Sequence, residues 1–187
     1  MELLARVRRR CRSLRWLQLV LFIAAPVASA GQFDEYDVKA AFLLNFTKFV
    51  EWPAGVDDGK LVICIIGDDP FGPTLDRLVK GAKTKSHAIE LRRIGNPAEA
   101  TGCHVAFVRS VEREKATKLL NSVGTAPVLT VGEEYEFAEE GGVVCLWVEN
   151  GRVKVMINTG AADRAQLKIS AKLLSLAQLL PGGHGRD

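Results

Sequence analysis

Leu61-Val-Ile-Cys-Ile-Ile66 is an unbroken apolar run, short and rich in β-branched residues, bounded by Lys60 and Gly67. Nothing in it alternates, so it offers no face to water and reads as a strand buried on both sides. A strand of that kind needs layers of helix above and below it. Cys103-His-Val-Ala-Phe-Val108 and Pro127-Val-Leu-Thr-Val131 have the same short apolar character. Ile89, Leu91 and Arg93 alternate with Glu90, Arg92 and Ile94, the pattern of a half-exposed strand. Helices are expected between these strands. One ends near Lys80, with Leu75, Leu78 and Val79 inward. Another is capped by Ser110 and runs to Val123, with Val111, Leu119, Leu120 and Val123 inward. A short one spans Glu133 to Glu140 and stops at Gly141-Gly142.

The pattern changes after Gly142. Val143 to Glu149 and Arg152 to Ile157 are two β-type runs joined by Asn150-Gly151, the strongest two-residue hairpin signal. A short helix is expected over Asn158 to Arg164. A last one, Ala171 to Leu180, is capped by Ser170 and buries Leu173, Leu176, Ala177 and Leu180. Pro181 to Asp187 reads as a frayed polar tail. With 187 residues and neither a repeat nor a second-domain boundary, the expected fold is a single α/β domain. Its sheet is mixed and mostly parallel, with helices on both faces and a C-terminal antiparallel hairpin.

The first helix of that domain is Glu35 to Trp52, capped by Asp34 and ended by Pro53. At 100° per residue Val38, Phe42, Phe46 and Phe49 fall within about ±40° of one line, a narrow apolar seam. Lys39 and Asn45 sit at its two edges, while Ala40 and Leu44 lie on the far side, so more than one face is expected to be covered.

The first thirty residues stand apart. Met1 to Arg15 carries six arginines against one acid, Trp16 to Val27 is apolar apart from Gln18 and Pro26, and Ala28-Ser29-Ala30 supplies small residues for a signal peptidase. The apolar run is shorter than the roughly 20 residues of a membrane span. A cleaved leader, 1–30, and export are therefore expected. Taking the leader's six basic and one acidic residues from the chain's 25 and 22 leaves 19 and 21, a net charge of −2. The basic balance belongs to the leader, and a nucleic-acid partner loses its electrostatic support.

Cys64, Cys103 and Cys145 remain, which in an oxidising compartment suggests one disulfide and one thiol left over. Spacing alone does not choose the pair. Were it Cys64 with Cys103, closing the loop of about 39 residues would stabilise by roughly 4 kcal/mol in the chain-entropy model.

A search for chemistry finds little. Gly67 to Gly72 spaces two glycines after a strand as a phosphate loop does, but Pro73-Thr74 follows where a lysine is needed. Asp68 and Asp69 stand at a strand's carboxyl end, where open α/β sheets bind ligands, yet a helix-capping turn uses the same residues. His87, His104 and His184 lack ligand spacing, no nucleophile elbow is present, and Cys64 is set too deep in its strand to act as a nucleophile. Neither metal nor cofactor is indicated, and no enzyme.

The stretch Glu35-Tyr-Asp-Val-Lys-Ala-Ala-Phe-Leu-Leu-Asn-Phe-Thr-Lys-Phe-Val-Glu-Trp-Pro53 resembles the signature start of the YfiR (HmsC-like) family. The likeness continues in order through Ile63 to Gly72, Cys103 to Val108, Val128 to Glu133, Gly141 to Val144, Val153 to Asn158 and Leu167 to Leu174. The resemblance implies a non-enzymatic periplasmic repressor of an inner-membrane diguanylate cyclase. Such a protein acts on the cyclase's periplasmic sensor domain, lowers cyclic di-GMP and biofilm formation, is often a homodimer, and can be sequestered by an outer-membrane lipoprotein. It also implies a disulfide between Cys64 and Cys103, with redox tuning through a disulfide and release set by oxidation state or by a competing partner. Cys145 matches half of a second pair whose other position is Ala138, so Cys145 is expected as a free thiol and redox tuning through a second bond is in doubt. Lys39, Asn45, Trp52 and Asn158 are expected as fixed parts of the scaffold, with Asn45 bonding a neighbouring loop. The partner surface is expected at the hairpin, through Val144, Leu146 and Val155, and at the last helices, as added apolar surface. The rival from another class is a periplasmic small-molecule binder, with a pocket near Asp68 and Asp69 or beside Lys39 and Asn45.

Overall fold

The computed structural model describes residues 34–56, 59–80, 82 and 87–180; the expected leader, Asp57-Asp58 and the tail from 181 lie outside the described residues. The elements run α1 (Glu35–Phe49), β1 (Val50–Glu51), β2 (Lys60–Ile66), α2 (Pro73–Lys80), β3 (Ala88–Ile94) and β4 (Val105–Val108). They continue with α3 (Arg113–Val123), β5 (Leu129–Gly132), α4 (Tyr135–Glu139), β6 (Val144–Glu149) and β7 (Arg152–Asn158). The last are α5 (Thr159–Arg164), β8 (Lys168–Ile169), α6 (Ala171–Leu174) and β9 (Gln178–Leu180).

A seven-stranded sheet in the order β3-β2-β4-β5-β6-β7-β9 forms the middle layer. Its neighbours are parallel except β6 and β7, which form the expected antiparallel hairpin. Asn150 and Gly151 both have left-handed φ, 52° and 70°, as a two-residue turn matched to strand twist requires. The mixed, mostly parallel α/β sheet is thus the observed fold. The central strands are buried on both faces, and successive side chains enter two different cores. Ile63, Ile65, Val105, Phe107, Leu129, Val131, Leu146 and Ile157 join one core with residues of α1, α2, α5 and α6. Val62, Cys64, Ile66, Ala106 and Val108 join a second core with Leu119 and Val123 of α3 and Phe137 of α4.

Several expectations need correction. The seam on α1 is only part of its buried face: Lys39, Ala40, Leu43, Leu44, Phe46 and Thr47 are buried, while Val38, Phe42 and Phe49 are half-buried, the two phenylalanines packing against the core. Ala40, Leu43, Phe46 and Val50 recur at helical spacing in the larger core, and the small Ala40 allows close approach. The helix also stops before Trp52. Val50 and Glu51 turn extended and pair antiparallel with Ile169 and Lys168, an arrangement suited to a segment that runs into Pro53. Ser110 does not cap α3 with its side chain; Ser110–Glu112 is a 3₁₀ turn, and Val111 is 72% exposed rather than inward.

The last helix is short. Chain beyond Leu174 leaves the helix and Gln178–Leu180 pairs in parallel with β7, leaving Leu176 at 74% exposure. Main-chain pairing at the sheet edge outweighs the helical periodicity of the apolar residues there. At the hairpin, Val144 and Leu146 are fully buried and Val155 is 7% exposed, so these three are core and not exposed surface. Val148, on the same face of β6 but close to the hairpin turn and beyond the covered part of the strand, is 43% exposed.

Cys64 and Cys103 form a disulfide with a Cα–Cα distance of 5.9 Å, and Cys145 is a buried free thiol. Both bonded cysteines are buried, at 0% and 4% exposure, which keeps solution reductants from the sulfurs in the native state. We expect non-reducing mass spectrometry of the unfolded chain to find Cys145 alkylated and Cys64 and Cys103 protected. Replacing both Cys64 and Cys103 by Ala should cost about 2–5 kcal/mol in urea unfolding. A second prediction concerns Phe137, whose ring lies over Gly132: a Cβ there would stand 2.4 Å from the Phe137 Cγ. Gly132→Ala should therefore destabilise by about 1–3 kcal/mol. Gly95→Ala, with open space around it, should change stability by less than about 0.5 kcal/mol in the same titration.

Candidate functional site

The chain leaves β2 for β3 on one side and returns for β4 on the other, so the strand order reverses between β2 and β4. The crevice outside the carboxyl ends of strands at such a point is where open α/β sheets bind ligands. In this protein α1 contributes to it. Lys39, 2% exposed, donates from Nζ to Glu133 Oε1 at 2.6 Å and also to the Glu35 carboxylate. Glu133 follows the last residue of β5, and its Oε2 accepts the Ser110 N–H at 2.8 Å, just past the end of β4. The Tyr36 ring faces Lys39 Nζ at 5.0 Å and the Arg109 guanidinium at 5.8 Å, and meets Phe71 edge-on at 5.7 Å. Burial pulls the Lys39 pKa down, but hydrogen bonds to Glu133 and Glu35 more than reverse it, and the net shift is upward. Its ion pair therefore contributes fully below the ordinary lysine range and is lost only as pH rises through the raised folded value. At neutral pH the lysine is charged and is no proton acceptor.

Asp69 resolves in favour of the turn. Its Oδ1 accepts the Phe71 N–H at 2.7 Å and its Oδ2 pairs with Arg93 Nε at 2.7 Å. Arg93 also pairs with Asp76, and that bond holds the Asp76 carboxyl below its usual range. Asp68 stands near Arg109 and bonds through its backbone to Glu112. His104 is buried and accepts the Val62 N–H at Nδ1, 3.0 Å away, with its ring edge-on to Trp52. Among the described residues no group of three His, Cys, Asp or Glu is placed to hold a metal. Burial pushes the Cys145 thiol up to about 12, so it is not a thiolate at neutral pH. Ala138 and Cys145 share one small buried cluster with Met156 and Leu180.

The scaffold positions differ in what they do. Asn158 donates from Nδ2 to the Ala138 carbonyl and accepts the Ala161 N–H at Oδ1, locking α4 to the start of α5. Trp52 packs on His104. Asn45 bonds Lys48 on its own helix rather than a neighbouring loop, which corrects that expectation. Lys39 joins the crevice, where Asn45 does not. Sequence reasoning passed over Tyr36, Arg109, Ser110 and Glu133. The available signal was position: Arg109 and Glu133 are charged residues directly past the ends of apolar strands.

A second feature lies beside the hairpin. Phe42 of α1, Trp147, Val153 and Val155 of the hairpin, and Leu173 and Leu176 line a groove of about 500 Å³. Glu149 and Lys154, 4.0 Å apart, sit on its rim, and Leu176 and Leu179 are exposed at 74% and 47%. Val155 forms floor there, whereas Val144 and Leu146 are beneath it in the core. It is an apolar surface of the type that marks contact with another molecule.

Among solved structures, the chain is similar to the ABC domain in complex with L-Trp from Streptococcus pneumonia, with a TM-score of 0.50 and 10% identity. That match covers 74% of this chain and 59% of the other, so the chain spans well under two thirds of that domain, and the likeness is one of fold. The family profile described as YfiR/HmsC-like matches residues 36–178, from the crevice tyrosine to the edge strand. The chain belongs to the YfiR/HmsC-like family.

Proposed function

We propose that this protein is a periplasmic regulator that represses a membrane-bound diguanylate cyclase by binding the cyclase's periplasmic domain. Family membership carries the reading. Two structural features support it. The crevice at the strand ends, the usual place for a small ligand or a reacting group, is filled by the chain's own Lys39 and Glu133 side chains. The groove beside the hairpin instead leaves apolar side chains in water, at a cost that a bound protein surface would remove.

Repression is then a shift of a conformational equilibrium. The regulator binds the inactive arrangement of the sensor domain better than the active one. Moving the sensor from 99% active to 99% inactive takes a preference of about 5.5 kcal/mol. Release comes from a competing partner, for which an outer-membrane lipoprotein is suited, and a homodimer is the expected state of the free regulator. Redox tuning through Cys145 has no support, because Ala138 occupies the position of its partner. The rival small-molecule reading has less support at its two places, because Asp69 is bonded in a turn and an ion pair and Lys39 is bonded to Glu133.

Deleting the gene should raise cyclic di-GMP and biofilm mass, and the wild-type protein should reverse both and retain the cyclase on pull-down. Unchanged cyclic di-GMP with no membrane cyclase recovered would sink the repressor reading. The contact surface is tested with Leu176→Glu combined with Leu179→Glu, both at exposed positions. This variant should keep its urea midpoint, change stability by less than about 1 kcal/mol, and fail to restore repression. Full repression by it would move the contact elsewhere.

A further inference from the structure

Glu133 is held as a bound carboxylate is held. One oxygen meets the Lys39 ammonium at 2.6 Å, the other meets the Ser110 backbone N–H at 2.8 Å, and the side chain is 5% exposed. Charge on one oxygen and a fixed amide on the other is a charge-assisted pair that recognises a carboxylate by both of its oxygens. The elements that supply the two donors are far apart in sequence, and the Glu133 carboxylate bonds to both. Tyr36 adds a wall that also faces Arg109, 5.8 Å from its ring.

Beside the carboxylate lies a cavity of about 120 Å³ that neither Lys39 nor Tyr36 enters. Val108, Ala116 and Phe137 give it an apolar side, and Arg109, Arg113, Glu134, Glu136 and Glu140 give it a charged one, with Arg113 paired to Glu134. The space suits the short apolar tail of a small monocarboxylate.

We propose that the crevice is a site for small monocarboxylates that Glu133 occupies from within the chain, as an internal ligand. Attachment to the end of β5 gives the internal carboxylate an effective concentration of mM or more, so free carboxylates do not displace it. The site is therefore closed in the resting protein. This inference is independent of the repressor reading and stands or falls without it.

The test uses the mature chain and its Glu133→Ala variant, with sodium formate or acetate as probe and sodium chloride at equal ionic strength as reference. Glu133→Ala should unfold at a lower temperature than wild type in chloride. In about 100 mM formate or acetate it should recover by about 3–6 °C. Wild type, whose site is filled, and the Lys39→Met, Glu133→Ala double variant, whose site lacks its cation, should shift by less than about 1 °C under the same exchange. No recovery in Glu133→Ala, or equal recovery in the double variant, overturns the proposal. Where Glu133→Ala does not fold in chloride, refolding yield from urea is read instead. A yield restored by formate in the single variant alone supports the site, and a yield that formate leaves unchanged overturns it.

Discussion

Burial of both sheet faces is the constraint on which everything else in this fold rests. Parallel strands of four to seven residues gain little from their own ladders, so β2, β4 and β5 are held by what covers them. The coverage is unequal. One face carries α1, α2, α5 and α6, and the other carries α3 and α4, with the Cys64–Cys103 bond inside the second core. The disulfide joins β2 to the segment entering β4, and His104, next in sequence to Cys103, accepts a hydrogen bond from Val62 of β2. The two bonds fix the same strand pair in one register, which matters because a one-residue slip would exchange the faces of the strand.

This dependence explains which elements were legible in the chain. Strands such as Leu61 to Ile66 announce themselves because burial on both faces forbids polar residues, and Asn150-Gly151 announces the hairpin because few other pairs take two left-handed residues. The seam of α1 misled for the same physical reason. An amphipathic stripe marks the core only when the opposite face meets water, and α1 is covered on more than one side. Hence Lys39, a charged residue, is more buried than Phe42. The pairing of β9 with β7 and of β1 with β8 had no local signal. Two- and three-residue strands are too short to show a period, and their existence depends on an edge built elsewhere in the chain.

The crevice was the least legible part. Lys39 and Glu133 are 94 residues apart, and nothing in either neighbourhood marks the other as its partner. Only the topology brings them together, by reversing the strand order between β2 and β4 and laying the start of α1 near the strand ends. Once there, the pair follows from charge: a lysine at 2% exposure cannot remain ionised without a nearby anion. A buried ion pair adds little net stability over an apolar substitute, and its value lies in specifying one docking of helix on sheet. Lys39 rejects any arrangement of α1 that leaves it unpaired.

The same pairing of charges governs what the strand ends offer to a ligand. An enzyme keeps polar groups at the strand ends incompletely satisfied, so that substrate or transition state completes them. Here several polar groups at that place are bonded to one another, Lys39 to Glu133, Glu133 to Ser110, Asp69 to Phe71 and Arg93, while the buried Arg109 Nε has no hydrogen-bond partner among the described residues. Exposed apolar surface lies to the side, where Leu176 lines the hairpin groove and Leu179 sits on β9 at the end of the sheet. The opposite edge, β3, is guarded by Glu90 and Arg92, an ion pair that discourages strand addition, with Lys60 on the adjoining β2. The β9 edge thus offers apolar surface for burial and the β3 edge offers charge.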